Sequence, residues 1–285
     1  ATLEPNLNFK KLKVVLDCAN GATYHVGPNL FWELGCQVIT INNNPNGKNI
    51  NQNCGAINTK ELSKKVILEK ADIGFAFDGD GDRLIAIDEK GDEIDGDNLI
   101  ALFALNLSKS KTLKNNTVVT TVMSNLGFEK YLKDILNINL IRKDVGDINV
   151  IYEMNKNNYS LGGEQSGHII LGQYMSTGDG ILAALKVLEI LSKKNIKASK
   201  LFNLYNNYTQ LKTNIKLQEK ISKNTEENIK KVVLDFKSKY KSLRFLVRKS
   251  GTEPLIRILV EAKDVIIVKK VSKMLISSLK KLINA

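Results

Sequence analysis

The apolar and polar positions in the first half of the chain follow the pattern expected of alternating strands and helices. Short apolar runs, such as Leu12 to Leu16 and Ala71 to Phe77, are bounded by turn residues and predict buried strands. Between them, residues 59 to 70 have helical spacing, and we expect Thr59 to cap that helix. This alternation predicts an α/β fold with layered sheets.

The same succession of elements occurs twice before the pattern changes. We therefore predict two related α/β/α sheet domains, at residues 1–94 and 95–207. A strongly periodic helix from Gly180 to Lys193 is expected to cover the second sheet. The pattern breaks between Tyr205 and Thr213, and the strands and helices beyond it predict a small α+β C-terminal domain at residues 208–285.

The composition narrows the classes of protein to consider. The chain has 285 residues and a net charge of +12, from 42 lysines and arginines against 30 aspartates and glutamates. The lysines are scattered along the chain, so we expect no nucleic-acid partner. No apolar run is long enough for a membrane span, so we expect a cytoplasmic protein without membrane contacts. Cys18, Cys36 and Cys54 have no close partner in sequence and are expected to fill the core.

A predicted strand leads directly into a run of acids separated by glycines. Asp78, Asp80 and Asp82 occupy alternate positions. Gly79 and Gly81 between them allow positive φ angles, so that all three carboxylates can face one point. Carboxylates about 4 Å apart repel by roughly 4 kcal/mol at an effective dielectric of about 20, and a divalent cation removes that penalty. Oxygen ligands favour magnesium, manganese or calcium, so the run predicts a metal site.

Arg83 follows the acids and offers a planar fork of donors that matches a phosphate sharing the metal. Three other interpretations stay open. A calcium loop would need glycine in place of Arg83 and helices on both sides, whereas strands are predicted there. An aspartyl phosphotransferase would use Asp78 as its nucleophile and would not have an acid at Asp82. The third is a solvated turn, although turns rarely gather three like charges.

A second polar loop, from Leu161 to His168, lies towards the end of the second predicted domain. The carboxylate of Glu164 can accept two vicinal sugar hydroxyls, and Ser166 with the flanking glycines lets a ring approach the backbone. The alternative is a polar turn before a strand from His168 to Leu171. For His168 itself, a catalytic role and a structural role at the head of that strand are both open.

A third loop, from Arg248 to Pro254, joins two predicted strands of the last domain, and Arg257 follows it closely. Its two guanidinium groups, the hydroxyls of Ser250 and Thr252 and the amide donors around Gly251 form a cradle for a phosphate dianion. We therefore predict that this loop binds phosphate.

In this order along the chain, the acidic loop, the Gly163–His168 loop and the Arg248–Pro254 loop resemble those of the phosphohexomutase superfamily. The stretches from Leu16 to Tyr24 and from Thr177 to Gly180 are most similar to the bacterial branch that interconverts glucosamine 6-phosphate and glucosamine 1-phosphate for UDP-N-acetylglucosamine synthesis. The resemblance covers essentially the whole chain. It leaves two other activities open, another phosphohexomutase acting on mannose or glucose phosphates and, further away, an aspartyl phosphotransferase.

The resemblance implies a role for each matching residue and a phosphorylated hexosamine as the substrate. Asp78, Asp80 and Asp82 would hold Mg²⁺. Arg83 would lie beside a phosphorylated serine, and His168 matches a position assigned to an acid or base. The remaining residues would bind substrate: Glu164 and Ser166 the sugar hydroxyls, and Arg248, Ser250, Gly251, Thr252 and Arg257 the phosphate that does not react.

Two departures from the superfamily pattern qualify these expectations. The phosphoserine of the superfamily lies in an Ala-Ser-His-Asn type of motif, which does not occur in this sequence. We therefore expect the chain to be a fragment that needs the N-terminal domain of the same enzyme and has no activity alone. In addition, Ile148 stands after Asp147, where arginine is expected.

Overall fold

The computed structural model describes Leu3 and residues 9–217, 221–250 and 253–283, so that the predicted site residues Gly251 and Thr252 lie outside the described residues. The chain forms two compact units. The first extends to Ser124 and continues from Phe128 to Tyr205, and the second combines Asn125–Gly127 with the residues from Asn206 onward. Two α/β/α layered parts followed by a smaller C-terminal part confirm the predicted fold class.

The first sheet has five strands in the order β2-β1-β3-β4-β5. Strands β2, β1 and β3 are parallel, and β4 pairs antiparallel with both β3 and β5. Its strands are β1 (Lys13–Asp17), β2 (Gln37–Ile41), β3 (Ile73–Phe77), β4 (Leu84–Asp88) and β5 (Glu93–Ile94). Helix α1 (Thr23–Glu33) lies on one face and helix α2 (Lys60–Glu69) on the other. Every residue of β3 and β4 is buried, as the continuous apolar runs predict.

Thr59 does not cap α2, contrary to the prediction. Its backbone has φ −86° and ψ 3°, whereas a capping residue has an extended conformation, and its side chain accepts no bond from the helix. The hydroxyl instead donates to a carboxylate oxygen of Glu93 on β5. The backbone conformation of Thr59 therefore excludes the capping bond, and the hydroxyl has a partner distant in sequence.

The second sheet has four strands in the order β7-β6-β8-β9, parallel except for β9. They are β6 (Thr117–Thr121), β7 (Asn139–Lys143), β8 (Leu161–Gly163) and β9 (Ile169–Leu171). The helices of this part are α3 (Gly96–Lys109), α4 (Leu126–Lys130) with a π-helical continuation over Tyr131–Ile135, α5 (Asp147–Asn157), α6 (Gly180–Lys194) and α7 (Ala198–Leu201). The sequence analysis missed β8 because its two glycines gave it no strand pattern.

The two sheets of the first unit share one hydrophobic core. Leu84 of β4, Leu99 of α3, Val118 of β6 and Leu185 of α6 belong to the same buried cluster. Helix α6, predicted to cover the second sheet, also packs against β3 and β4 of the first. A common core of this kind fixes the loops at the ends of both sheets relative to one another.

The second unit contains an antiparallel sheet in the order β10-β12-β11 and two helices with their own hydrophobic cluster. Its elements are β10 (Thr209–Lys216), α8 (Lys223–Lys239), β11 (Arg244–Lys249), β12 (Leu255–Ala262) and α9 (Val265–Ile283). Strand β10 begins inside the segment where the sequence pattern was expected to break. In the described part of the chain, no helix is both long enough and apolar enough to cross a membrane.

Candidate functional site

The acidic loop follows β3 and brings its three carboxylates together. One oxygen from each of Asp78, Asp80 and Asp82 lies within 4.8 Å of the others. Gly81 has φ +80°, a left-handed conformation that curls the backbone so that the side chains do not alternate across a strand. The loop therefore offers a group of oxygen ligands for one hard cation.

The three carboxylates differ in burial, and the pKa values of Asp78 and Asp82 are shifted in opposite directions. Burial raises the pKa of Asp78 to about 6, and the adjacent acids Asp82 and Asp80 act in the same direction. Burial also acts to raise the pKa of Asp82, but hydrogen bonds with Asp78 and His168 outweigh it and hold that pKa below the usual range. Asp80 is exposed. A cation bound among these acids would favour the ionised form of Asp78 and lower its pKa.

The oxygen atoms of Asp82 have different surroundings, and this fits a bound metal. Oδ2 is 2.8 Å from Nδ1 of His168. Oδ1 is buried and has no hydrogen-bond partner among the residues that the structure describes. A buried carboxylate oxygen without a partner is costly unless a cation or water binds it.

Arg83 lies at the rim of the acidic loop. Its backbone N–H donates to Oδ1 of Asp78 at 3.1 Å, which closes the turn. Its Nε is 3.5 Å from Oδ2 of Asp78 and 3.8 Å from Oδ1 of Asp82, and 40% of its side chain is exposed. The guanidinium is therefore held beside the carboxylates with part of its surface open to an anion.

Asp17, at the end of β1, links the turn after that strand to Gly55 through hydrogen bonds, a role that the sequence analysis missed. It is fully buried and accepts hydrogen bonds from the backbone N–H groups of Ala19 and Gly55, at 3.0 and 2.9 Å. Burial raises its pKa, although these two bonds oppose the rise. An acid that ends an apolar strand just before a turn was the available signal.

The Gly163–His168 loop lies next to the acidic loop through backbone contacts. Leu84, the first residue of β4, donates its N–H to the carbonyl of Gly167 at 2.9 Å, and Arg83 forms a β-bridge with His168. Glu164 is buried, and its Oε1 accepts from the N–H of Gly146 at 3.1 Å. The structure thus brings the predicted metal and sugar loops together within the first unit.

The other sugar-loop residues lie in two different environments. Ser166 is exposed, and its hydroxyl is 3.5 Å from Oε2 of Glu164, a long hydrogen bond that a ligand can replace. His168 is 2% exposed, and both of its ring nitrogens have protein partners, Asp82 and the N–H of Gly178. Of these two residues, Ser166 is open to solvent and His168 is enclosed by protein atoms.

The loop that was predicted to bind phosphate belongs to the second unit. Arg248 on β11 and Arg257 on β12 are direct cross-strand partners, and the Nε of each is buried without a hydrogen-bond partner among the described residues. Ser250 is buried, with its hydroxyl accepting from the N–H of Glu253 at 3.3 Å. Like charges directly opposite each other destabilise a sheet, and an anion bound between them removes that cost.

Comparison with known proteins identifies the family. Sequence models of the phosphoglucomutase/phosphomannomutase family match almost the whole chain: alpha/beta/alpha domain II at residues 3–91, alpha/beta/alpha domain III at residues 95–208, and the C-terminal domain at residues 213–277. The chain therefore belongs to this family, the phosphohexomutases.

Two curated relatives show how similar and how complete the match is. The chain is 47% identical over 260 residues to a phosphoglucosamine mutase of Zymomonas mobilis, covering 91% of this chain and 58% of that protein. It is 46% identical over 281 residues to a phosphoglucosamine mutase of Fusobacterium nucleatum, covering 97% of this chain and 62% of the relative. The chain thus spans about three fifths of the length of these relatives.

Solved structures support the fold. A phosphoglucomutase/phosphomannomutase family protein from Burkholderia thailandensis matches with a TM-score of 0.81 at 23% identity, covering 97% of this chain and 62% of that one. An N-acetylphosphoglucosamine mutase from Aspergillus fumigatus, in complex with GlcNAc-6P and magnesium, matches with a TM-score of 0.74 at 20% identity, covering 95% and 66%.

Proposed function

We propose that this chain carries the metal, sugar and phosphate sites of a phosphoglucosamine mutase, which interconverts glucosamine 6-phosphate and glucosamine 1-phosphate. The observation that carries the proposal is the identity of 46–47% with curated phosphoglucosamine mutases over more than nine tenths of the chain. The convergent carboxylates beside Arg83 supply the chemistry that this activity needs. We propose the domain boundaries 1–94, 95–207 and 208–285 as the units in which these sites lie.

Asp78, Asp80 and Asp82 would hold Mg²⁺. The donor set fits that ion, because it consists of carboxylate oxygens close enough to share one cation, one of them buried without a hydrogen-bond partner among the described residues. Bound there, the cation would neutralise charge on the phosphoryl group in transfer.

Arg83 acts as a catalytic residue on the same group. Its guanidinium lies at 3.5 and 3.8 Å from two carboxylates and remains 40% exposed, so it can bind equatorial phosphoryl oxygens without losing its orientation. Phosphoryl transfer requires mainly positioning and charge stabilisation, which a fixed guanidinium provides.

The phosphoryl donor in this transfer would be a phosphorylated serine outside these 285 residues. The bond between the serine oxygen and phosphorus breaks, a bond from a sugar hydroxyl oxygen to phosphorus forms, and the hydroxyl proton is transferred to the serine. The resulting hexosamine bisphosphate then returns its other phosphoryl group to the same serine. This requires the bisphosphate to bind in two orientations.

The remaining residues would bind the substrate. Glu164 and Ser166 would contact sugar hydroxyls, and the loop containing Arg248, Ser250, Gly251, Thr252 and Arg257 would bind the phosphate that does not react.

Calorimetric titration of the 285-residue chain with glucosamine 6-phosphate, glucose 6-phosphate and mannose 6-phosphate, each with MgCl₂, tests this proposal. We expect glucosamine 6-phosphate to bind about tenfold more tightly than the other two, equivalent to one additional hydrogen bond. We also expect no turnover by the chain alone. Tighter binding of mannose or glucose phosphate would assign another phosphohexomutase activity, and measurable turnover would contradict the external serine.

A further inference from the structure

Two helices of the first unit begin with the same pair of residues. Asp95 and Gly96 start α3, and Asp179 and Gly180 start α6. Each aspartate caps its helix, with the side chain accepting a backbone N–H of the first turn at 3.1 Å in α3 and 2.9 Å in α6. The N–H groups of a first turn have no partner within the helix. The aspartate binds one of them, and the N–H of the glycine is left to bond elsewhere.

The glycine of each helix start donates to a different loop of the proposed site. The N–H of Gly180 donates to the carbonyl of Gly81 in the acidic loop at 2.9 Å. The N–H of Gly96 donates to the carbonyl of Gln165 in the sugar loop, Gly163–His168, at 3.0 Å. The positive end of each helix dipole favours these carbonyl oxygens as well. One helix start is therefore attached to the acidic loop, and the other to the sugar loop.

Both loops approach their helix start so closely that a side chain would not fit. A Cβ atom added to Gly180 would lie 2.5 Å from the carbonyl oxygen of Arg83, and one added to Gly96 would overlap the carbonyl oxygen of Glu164. An alanine at either position would therefore have to displace the backbone of the loop. Glycine is also a poor helix former, so this close approach is a physical reason for its presence in the first turn.

The helices are the rigid partners in these two contacts. Leu99 of α3 and Leu185 of α6 belong to the buried cluster that the two sheets share, and every residue of α3 from Gly96 to Ala104 is buried. The loops carry exposed side chains, Asp80 in one and Ser166 in the other. A close-packed core holds the helix starts in place, so they determine where the backbone of each loop lies.

We infer that Gly96 and Gly180 are positioning residues with separate roles: Gly180 places the acidic loop for the cation, and Gly96 places the sugar loop for the hexosamine. This inference rests on the proposed function in taking these loops as the metal and sugar sites. It gives the Thr177–Gly180 stretch, which contains no predicted site residue, a part in the metal site. A helix of the second predicted domain would thus set the geometry of a loop in the first.

Calorimetric titration of two variants of the 285-residue chain tests the inference, first with MgCl₂ and then with glucosamine 6-phosphate at saturating MgCl₂. In Gly180→Ala we expect Mg²⁺ affinity to fall about tenfold or more, and the affinity for glucosamine 6-phosphate to stay within about threefold of wild type. In Gly96→Ala we expect the opposite pattern. Both variants add one methyl group at the first position of a capped helix, so each is the control for the other.

A third variant separates positioning from stability. Leu188→Ala removes a buried side chain from α6 more than two turns after its start, and it should lower the melting temperature without changing either affinity. Loss of both affinities in all three variants, in the order of their melting temperatures, would overturn the inference. Wild-type affinities in both glycine variants would overturn it too and leave the proposed function intact. Failure of the wild type to bind Mg²⁺ and glucosamine 6-phosphate would contradict the proposed function, and the inference with it.

Hydrogen exchange of the wild type, followed by NMR, decides the question even if an alanine variant does not fold. Coupling is reciprocal, so a ligand that needs a positioned loop also stabilises the bond that positions it. We expect Mg²⁺ to slow exchange of the Gly180 amide about threefold or more, and glucosamine 6-phosphate to do the same for Gly96. The amide of Gly172, which donates to Ser160, should not change. Unchanged exchange at Gly180 and Gly96 with both ligands bound would overturn the inference.

Discussion

Gly21 and Gly79 are in direct backbone contact. A Cβ atom added to Gly21 would lie 2.3 Å from the carbonyl oxygen of Gly79, closer than such contacts occur, and the same carbonyl accepts the N–H of Ala22 at 2.8 Å. Because Gly79 belongs to the acidic loop, the turn after β1 determines where that loop lies. The position of the carboxylates thus depends on a glycine more than fifty residues away in sequence.

The substitution Gly21→Ala should displace the acidic loop. The added methyl group meets backbone rather than a flexible side chain, so we expect a loss of about 1–3 kcal/mol in the free energy of unfolding and a weaker Mg²⁺ site. Urea denaturation and calorimetric titration measure the two effects. Gly27→Ala is the matched control, because a Cβ at Gly27 of α1 would meet its nearest atoms at 3.9 Å. If Gly21→Ala were as stable as this control and bound Mg²⁺ as tightly, the role of the Gly21–Gly79 contact would be contradicted.

The acidic loop was predictable from the sequence, whereas its support was not. Alternating acids and glycines are a local pattern, and electrostatic repulsion alone indicates a cation. The roles of Asp17 and Gly21 depend on contacts with Gly55 and Gly79, which no local pattern encodes. The burial of His168 was equally inaccessible, since its ring partners come from a segment before it and a segment after it.

Among the helices and strands, too, features set by local pattern were predictable and features set by distant contacts were not. The last helix, Val265–Ile283, lies in the C-terminal domain for which strands and helices were predicted. Strand β10 was expected to start later than it does. Its first residues are mostly polar and only partly buried, so they gave no apolar strand pattern. Thr59 does not cap its helix because its backbone is not extended, and its hydroxyl donates to Glu93 on β5.

Binding of Mg²⁺ should depend on pH through Asp78. Burial and the neighbouring acids raise the pKa of this carboxyl to about 6, so a proton competes with the cation below that pH. Without metal, the folded state holds this proton more tightly than the unfolded state, so its contribution to stability is present at low pH and is lost as pH rises through about 6. We therefore expect MgCl₂ to raise the melting temperature at pH 7.5 and to have little effect at pH 5. Equal increases at both pH values would contradict this account of Asp78.

Arg257 should contribute strongly to phosphate binding and little to stability. It lies directly opposite Arg248, and its ion pair with Glu253, at 2.6 Å, is between partly exposed side chains. For Arg257→Gln we expect the affinity for glucosamine 6-phosphate to fall about tenfold or more, with an unchanged or slightly higher melting temperature. Lys263→Gln removes the same charge at an exposed position and should leave affinity unaffected. An equal loss of affinity in both variants would show that the effect comes from net charge and not from the position of Arg257.

Glu261 should be essential to the stability of the second unit. It is fully buried on β12 and accepts from the guanidinium of Arg244, the side-chain amide of Gln210 and the N–H of Leu126. Glu261→Gln weakens a buried ion pair, and we expect a loss of about 3 kcal/mol in unfolding free energy. Hydrogen exchange in β10, β11 and β12 reports this locally. The matched control is Glu227→Gln at an exposed position, which should change the free energy of unfolding by less than about 0.5 kcal/mol. Similar hydrogen exchange in both variants would rule out the role assigned to Glu261.

Calorimetric titration of MgCl₂ into wild type and Asp80→Asn tests the central claim, that the acidic loop is a metal site, most directly. Asp80 is the exposed member of the three acids, so its replacement removes a ligand without disturbing the core. We expect Mg²⁺ affinity to fall about tenfold or more at pH 7.5, while circular dichroism and the melting temperature without metal stay the same. Undiminished affinity in Asp80→Asn would contradict the metal assignment on which the proposed function depends.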